Sequence, residues 1–128
     1  MLIAIKKLLE RNAYFISFAL TAIIIYLSLS SLKHLPVKIS VSDKFLHSLA
    51  YVTLTLSWFF AIKKSHKQLK SKLYIALAIF IFGGVLEVLQ EKLTANRTME
   101  YYDVIANTVG ILLALSSFSY LLKVYKRI

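Results

Sequence analysis

The sequence predicts an all-α protein, a four-helix transmembrane bundle with both termini in the cytoplasm. Hydrophobic residues make up 59% of the 128 residues and charged residues only 17%, whereas soluble domains have about 45–50% apolar and about 25% charged residues. The mean hydropathy is +0.70. The formal charge of +10 comes from short basic clusters between long apolar runs. This pattern excludes an ordinary soluble globule, a disordered chain and a basic nucleic-acid-binding face.

Three of the four predicted spans are uncharged apolar runs of membrane length. Residues 12–32 contain no charged residue and no histidine over 21 positions, which suffices to cross a hydrocarbon core of about 30 Å at about 1.5 Å per residue. Residues 45–62 contain His47 and no charged residue, and residues 104–122 contain neither a charged residue nor a histidine. We therefore predict helices over 12–32, 45–62 and 103–122.

The remaining span is interrupted by a carboxylate. Residues 73–86 are uncharged, but at about 1.5 Å per residue they give too short a helix to cross the membrane before Glu87 follows. Extending the helix to residue 93 restores a full crossing. The sequence therefore predicts a span over residues 73–93 with Glu87 inside the membrane or at its margin.

The basic residues predict the orientation. Eleven of the sixteen lysines and arginines fall on one side if both termini are cytoplasmic, and five of these lie in residues 63–72. Cytoplasmic loops of membrane proteins carry such an excess. No repeat or linker divides the chain, so residues 1–128 form a single domain. The lysines need no partner beyond anionic membrane lipids, and no nucleic acid is predicted.

Polar side chains are concentrated on the opposite, outer side. Five of the six carboxylates fall there, and several lie three or four residues from another polar residue, which places both on one helix face. These pairs are Asp43 with His47, Glu87 with Gln90, and Asp103 with Asn107. Small residues such as Gly83 and Gly110 continue the faces inward and allow close helix packing in lipid. We therefore expect the three pairs to meet in one pocket that opens outward.

The same positions resemble the VanZ-like family of small bacterial membrane proteins. The resemblance covers roughly residues 35–115 and rests on several separated motifs. These are Asp43, Lys44 and His47 at the second span, Gly84, Glu87 and Gln90 at the third, Arg97 in the loop, and Asp103, Asn107 and Gly110 on the fourth. It implies a multi-pass protein of the bacterial cytoplasmic membrane with a role in the cell envelope. It also suggests a link to resistance against the glycopeptide teicoplanin, and it implies no defined reaction.

The favoured functional hypothesis is recognition of an envelope amphiphile, such as a lipid-linked precursor. The second and fourth helices would direct their positive amino ends outward, and Lys44 and Arg97 would add full charges that attract an anionic headgroup. The candidate binding residues are Asp43, Lys44, His47, Glu87, Gln90, Arg97, Asp103 and Asn107. Membrane lipids and lipid-linked precursors are the expected partners, and the oligomeric state is left open.

Two alternatives are a metal-assisted membrane enzyme and a structural assembly partner. His47 with Asp43, Glu87 and Asp103 offers ligands for a divalent metal that would act on a lipid-linked substrate. A single histidine is not a ligand motif, however, so no cofactor is predicted and catalysis is the less favoured reading. In the structural alternative, the aspartates cap helices and Asn107 holds helices together. Tyr51 and Trp58 are assigned to the aromatic belts of a membrane protein.

Overall fold

The computed structural model describes residues 2–29, 40–93 and 101–127. Every regular element in these ranges is helical, which confirms the all-α prediction. The helices are α1 (Leu2–Arg11), α2 (Ala13–Leu29), α3 (Ser40–Ala61), α4 (Leu69–Leu93) and α5 (Tyr101–Arg127), with a short 3₁₀ helix (Lys63–His66) between α3 and α4.

Two of these helices are long and apolar enough to cross a membrane, over Leu69–Lys92 and Tyr102–Arg127. The helices α1 and α2 are long and apolar enough only when they are taken together as one span, and they are bent by 64° relative to each other. Among the described helices, α3 does not meet this combined requirement of length and hydropathy. The structure therefore supports a membrane protein with two or three candidate spans, and the predicted four spans are not confirmed by helix length and composition alone.

The first helix, α1, has no counterpart among the predicted elements. Its apolar residues Leu2, Ile3 and Ile5 are exposed, and its basic residues interrupt them so that no uncharged run forms. A search for long apolar runs misses such an amphipathic helix, because its signal is the spacing of apolar residues rather than their continuity.

Three helices extend beyond their predicted spans. α3 begins at Ser40 instead of residue 45, α4 begins at Leu69 instead of residue 73, and α5 continues to Arg127 instead of ending at residue 122. The residues added to α4 and α5 include several lysines and an arginine, which are good helix formers, so these two helices continue where the apolar run stops. In the first span, α2 ends at Leu29, and residues 30–32 lie outside the described residues.

The helices alternate in direction. The Lys72 Nζ atom at the start of α4 donates a hydrogen bond to Ser119 Oγ near the end of α5, at 3.0 Å. Trp58 near the end of α3 donates from Nε1 to Thr21 Oγ1 at the middle of α2, at 3.1 Å, and packs against Phe18 near the start of α2. Gln90 near the end of α4 donates to the carbonyl oxygen of Ser28 at the end of α2. It follows that α2 and α4 run one way, and that α3 and α5 run the other way.

Both ends of the described chain lie at the same end of the bundle. The Tyr125 hydroxyl donates to Glu10 Oε1 at 3.1 Å, and the Lys6 ammonium lies 5.0 Å from the centre of the Tyr125 ring. The basic residues of α1, of the α3–α4 connection and of the last turns of α5 therefore share one end of the bundle, which we call the basic end. Its cations are Lys6, Lys7, Arg11, Lys63, Lys64, Lys67, Lys70, Lys72, Lys123, Lys126 and Arg127.

Lys72 differs from the other lysines of the predicted inner connection. It lies in the first turns of α4 rather than in a loop, and only 8% of the residue is exposed. Its ammonium contacts Ser119 and lies over the ring of Phe118. Lys72 therefore joins α4 to α5, whereas Lys63, Lys64, Lys67 and Lys70 are exposed at the basic end.

The core of the bundle lies mainly between α3 and α5, which form the most extensive helix pair. Phe59 of α3 and Phe118 of α5 are buried and meet edge to face, with ring centres 5.3 Å apart. Large apolar side chains such as Phe15, Tyr74 and Leu112 remain exposed around the bundle. Such a wide apolar surface is unusual for a soluble monomer and is suited to contact with lipid.

Candidate functional site

At the end opposite the basic end, an ion pair joins α3 to α5. The Lys44 ammonium donates a hydrogen bond to Asp103 Oδ1, and His47 Nε2 lies 3.9 Å from the same oxygen. The contact forms because α3 and α5 are parallel, so both begin at this end. Of the Lys44 side chain 28% is exposed, against 11% for Asp103, which makes Lys44 the more accessible member of the ion pair.

Beneath the ion pair, a glycine brings α4 close to the other two helices. A Cβ atom at Gly83 would lie 3.2 Å from the Tyr51 hydroxyl and 3.3 Å from Asn107 Nδ2. Tyr51 follows His47 by one helical turn, and Asn107 follows Asp103 by one turn. The polar faces of α3 and α5 therefore continue inward and contact α4 at Gly83, which has no side chain.

Asn107 is nearly fully buried, with 3% of the residue exposed. Its Oδ1 atom has no hydrogen-bond partner within the part of the chain that the structure describes. Buried side-chain acceptors in proteins are normally paired, so this atom offers a hydrogen-bonding position inside the bundle.

Two buried polar residues of α4 complete the group. Glu87 is 3% exposed and lies close enough to Tyr51 for an electrostatic interaction between the two side chains. Gln90 is 4% exposed and donates from Nε2 to the carbonyl oxygen of Ser28, at 2.6 Å. Glu87 therefore faces the α3 side of the bundle, while Gln90 connects α4 to the carboxyl end of α2.

These side chains form a single polar junction between α3, α4 and α5, with Gln90 extending it to α2. The polar junction consists of Lys44, His47, Tyr51, Glu87, Gln90, Asp103 and Asn107. Taken as whole residues, backbone included, Glu87, Gln90, Asp103 and Asn107 are each less than a tenth exposed. These four side chains are packed into the bundle, and access from outside is greatest at Lys44 and His47.

Six of the eight candidate binding residues belong to this junction. Of these, Lys44 forms an ion pair with Asp103, and His47 lies 3.9 Å from the same carboxylate oxygen. Asp43 lies in the first turn of α3, but its side chain lies outside the described residues, as does Arg97 altogether. The opening of a pocket toward the outer leaflet stays a prediction.

Tyr51 is the residue that the sequence reasoning missed. It is assigned above to an aromatic belt, but it is 3% exposed and packs against the two glycines that contact other helices, Gly83 and Gly110. A signal was available, because Tyr51 lies four residues after His47 and thus on the same helix face. By contrast, Gly84 has open space where a Cβ would lie, although it is part of the family resemblance.

The junction offers both hydrogen-bonding and charged groups. Among the described residues, no group of three or more histidine, aspartate or glutamate side chains is placed to hold a metal ion. The junction combines a partly exposed lysine, an imidazole, two buried carboxylates and two buried amides. Such a set can bind a polar headgroup through charge and hydrogen bonds.

The fold and the junction define a helical protein with membrane-length apolar helices and buried polar groups at one end of the bundle. Comparison with known protein families, with curated proteins and with solved structures finds no match. The resemblance to the VanZ-like family therefore rests on the residues quoted for it.

Proposed function

We propose that the chain is a VanZ-like multi-pass protein of the bacterial cytoplasmic membrane whose polar junction recognises the anionic headgroup of an envelope amphiphile. In this proposal the bundle has four spans, the basic end is cytoplasmic and the polar junction lies beneath the outer headgroups. A role in glycopeptide resistance is the extension of this proposal that the family resemblance suggests.

The separation of charge along the bundle supports the topology. Eleven cations lie at the basic end, together with both ends of the described chain. Among the described residues, Glu10 is the carboxylate at this end. The described carboxylates of α4 and α5, which are Glu87, Glu91 and Asp103, lie toward the opposite end. Positive charge is retained on the cytoplasmic side during insertion, so the basic end is the cytoplasmic one.

The length and burial of α3 support it as the fourth span. Its 22 residues extend over roughly 33 Å at 1.5 Å per residue, enough for a hydrocarbon core of about 30 Å. Tyr51 and Thr55 are buried in the bundle, and the Lys44 ammonium is paired with Asp103. These three polar side chains of α3 are therefore wholly or largely shielded from lipid by its neighbours.

The single observation that carries the proposed recognition is the position of Lys44. Its ammonium is bound to Asp103, and more than a quarter of its side chain is exposed. An anionic headgroup that approaches along the membrane surface meets this cation first and then shares it with Asp103. His47, beside the same carboxylate, adds a second donor for the headgroup.

The buried members of the junction explain why binding would be selective. Polar groups at membrane depth are costly and are usually found at functional sites, and Asn107 keeps an acceptor atom with no partner among the described residues. A headgroup that carries hydroxyl or amide donors in addition to its phosphate would satisfy this acceptor.

The test uses farnesyl diphosphate as a water-dispersible isoprenyl amphiphile with purified protein in detergent. We expect binding by calorimetry to the wild-type protein and a loss of more than about tenfold in affinity for Lys44→Met, because a hydrogen bond to a charged group contributes about 1.5–3 kcal/mol. Lys92→Met is the matched control, since Lys92 is an exposed lysine near the end of α4. Equal affinities for wild-type and Lys44→Met protein would contradict the proposal.

The same samples separate recognition from catalysis. Recognition predicts that the probe is recovered intact after incubation with the wild-type protein. Release of phosphate or diphosphate by the wild-type protein, lost in Asp103→Asn, would replace the recognition proposal with the enzyme alternative.

A further inference from the structure

The helix α1 leaves the bundle at its basic end and exposes both of its faces. It is bent by 64° from α2 and has few contacts with it. Leu2, Ile5 and Leu8 are exposed on its apolar side, while Lys7 and Arg11 are exposed among its basic residues. Helices of this composition lie in the interface of a membrane, with the apolar face toward the acyl chains.

Beneath the junction of α1 and α2 lies an apolar groove of about 250 Å³. It is formed where the end of α1 and the start of α2 face the ends of α3 and α5, and it therefore lies at the basic end. Its lining residues are Leu9, Ala13, Ile16, Ser57, Phe60 and Tyr125. We call it the α1 groove.

A cation is held directly at the edge of this groove. The Lys6 ammonium lies 5.0 Å from the centre of the Tyr125 ring, which lines the groove. The Tyr125 hydroxyl in turn donates to Glu10. Lys63 and Lys64 follow within a few residues of Phe60, another lining residue, and are exposed. The groove thus combines an apolar interior with a cation, Lys6, at its edge.

We propose that the α1 groove binds one acyl chain of an anionic phospholipid and that Lys6 binds the phosphate of the same lipid. Bound in this way, the lipid lies between α1 and the ends of α3 and α5. It attaches α1 to the bundle through its acyl chain and to the membrane surface through its headgroup.

The size and charge of the groove support a lipid as the occupant. Pockets for drug-sized ligands begin at about 300 Å³, so 250 Å³ suits a segment of an acyl chain rather than a compact molecule. Cationic residues near a membrane surface attract anionic lipids, and eleven cations lie at this end against Glu10. A peptide would need hydrogen-bonding groups along the groove, and Ser57 already donates its hydroxyl to the Leu54 carbonyl.

The single tryptophan provides the reporter for the test. Trp58 follows the lining residue Ser57 and packs against Tyr14 and Phe18 at the start of α2. Bromine atoms on an acyl chain in the groove would quench its fluorescence. The protein is reconstituted in phosphatidylcholine vesicles that contain increasing fractions of brominated phosphatidylglycerol or, separately, of brominated phosphatidylcholine.

We expect the brominated phosphatidylglycerol to reach half-maximal quenching at about a fivefold lower fraction of the lipid than the brominated phosphatidylcholine. This factor corresponds to the contribution of one lysine near an anionic surface. Lys6→Gln should remove this preference. Lys7→Gln, which removes an exposed charge from the same helix, should keep it.

Filling the groove tests the acyl-chain half of the proposal. Ala13→Phe and Ile16→Phe each place a larger side chain in the groove, and at least one that retains the wild-type circular dichroism spectrum is used. Either should reduce quenching by both lipids at low bromolipid fractions. The proposal is overturned if the wild-type protein shows no preference for phosphatidylglycerol, if Lys7→Gln loses it as fully as Lys6→Gln, or if a folded groove-filling variant is quenched like the wild type.

Discussion

Gly110 of α5 lies against the backbone of Ser48 on α3, so closely that a Cβ atom at Gly110 would overlap the Ser48 carbonyl oxygen. The same Cβ would lie 3.1 Å from the Tyr51 Cβ atom and from the backbone nitrogen of Val52. Because these neighbours are mainly backbone atoms of a helix, they cannot move away individually. The contact sets the spacing of α3 and α5, two turns below the ion pair of Lys44 and Asp103.

Gly110→Ala should push α3 and α5 apart. Overpacking of a close contact costs about 1–3 kcal/mol, and an overlap with backbone atoms places Gly110→Ala in the upper part of this range, above the gain of about 1 kcal/mol in helix propensity from glycine to alanine. We expect a lower midpoint of thermal unfolding in detergent, measured by circular dichroism.

The matched control is Gly84→Ala on α4. A Cβ there meets nothing within 4 Å, so only the propensity gain applies and the midpoint should rise or stay unchanged. If Gly110→Ala were as stable as Gly84→Ala, the close packing of α3 against α5 would be wrong.

The ion pair between Lys44 and Asp103 should couple the two helices energetically. In a double-mutant cycle of Lys44→Met and Asp103→Asn, we expect an interaction free energy of about 1 kcal/mol, since the pair is only partly shielded and pairs in full solvent are worth less. Unfolding in detergent is the measurement. A control cycle of Lys92→Met with Asp103→Asn should show additive effects, and additivity in the first cycle would contradict the pairing.

Ser65 should contribute to stability at the basic end. Its buried Oγ lies 2.6 Å from the Phe59 carbonyl oxygen and 2.7 Å from that of Ile62, and carbonyls at the end of a helix such as α3 lack partners within the helix. Ser65→Ala should lower the free energy of unfolding by about 1–3 kcal/mol, the cost of a buried group left unpaired.

Ser71→Ala is the comparison for Ser65, because the Ser71 hydroxyl contacts only the side chain of Gln68 at an exposed position. Its effect on thermal unfolding should be close to zero. Equal effects of the two substitutions would show that the Ser65 hydroxyl does not hold the end of α3.

The proposed orientation can be tested by labelling single cysteines in intact cells, because the chain has no native cysteine. Lys67→Cys at the basic end and Lys92→Cys near the opposite end both replace exposed lysines. A membrane-impermeant maleimide should label Lys92→Cys in intact cells and Lys67→Cys only after permeabilisation. Labelling in the reverse pattern would overturn the cytoplasmic assignment of the basic end.

The centres of α2 to α5 could be predicted from apolar runs, because burial in lipid requires such runs. The ends of the helices could not, since the hydropathy of a residue such as Lys70 or Lys123 does not decide whether the backbone stays helical. The helix α1 was missed for a related reason. Its charged residues break the apolar run that marks a span, and only the spacing of its apolar residues indicates a helix there.

Helical spacing predicts which residues of the polar junction share one face of the same helix. The spacing of Asp103 and Asn107 indicated one face of α5, and the structure buries both. The spacing within one helix does not tell which neighbouring helix that face meets, however. The contact of Gln90 with the carbonyl of Ser28 on α2, and the position of Lys72 against Ser119, depend on packing between distant segments that periodicity does not report.

The pairing of α3 with α5 has a consequence for biogenesis. Lys44 and Asp103 are separated by 59 residues in the chain, so the ribosome completes α3 well before it begins the helix that shields the polar side of α3. Until α5 is complete, the side of α3 that carries Lys44 and Tyr51 lacks the helix that covers it in the folded protein. A chain truncated after α4 would keep this polar side of α3 uncovered by α5.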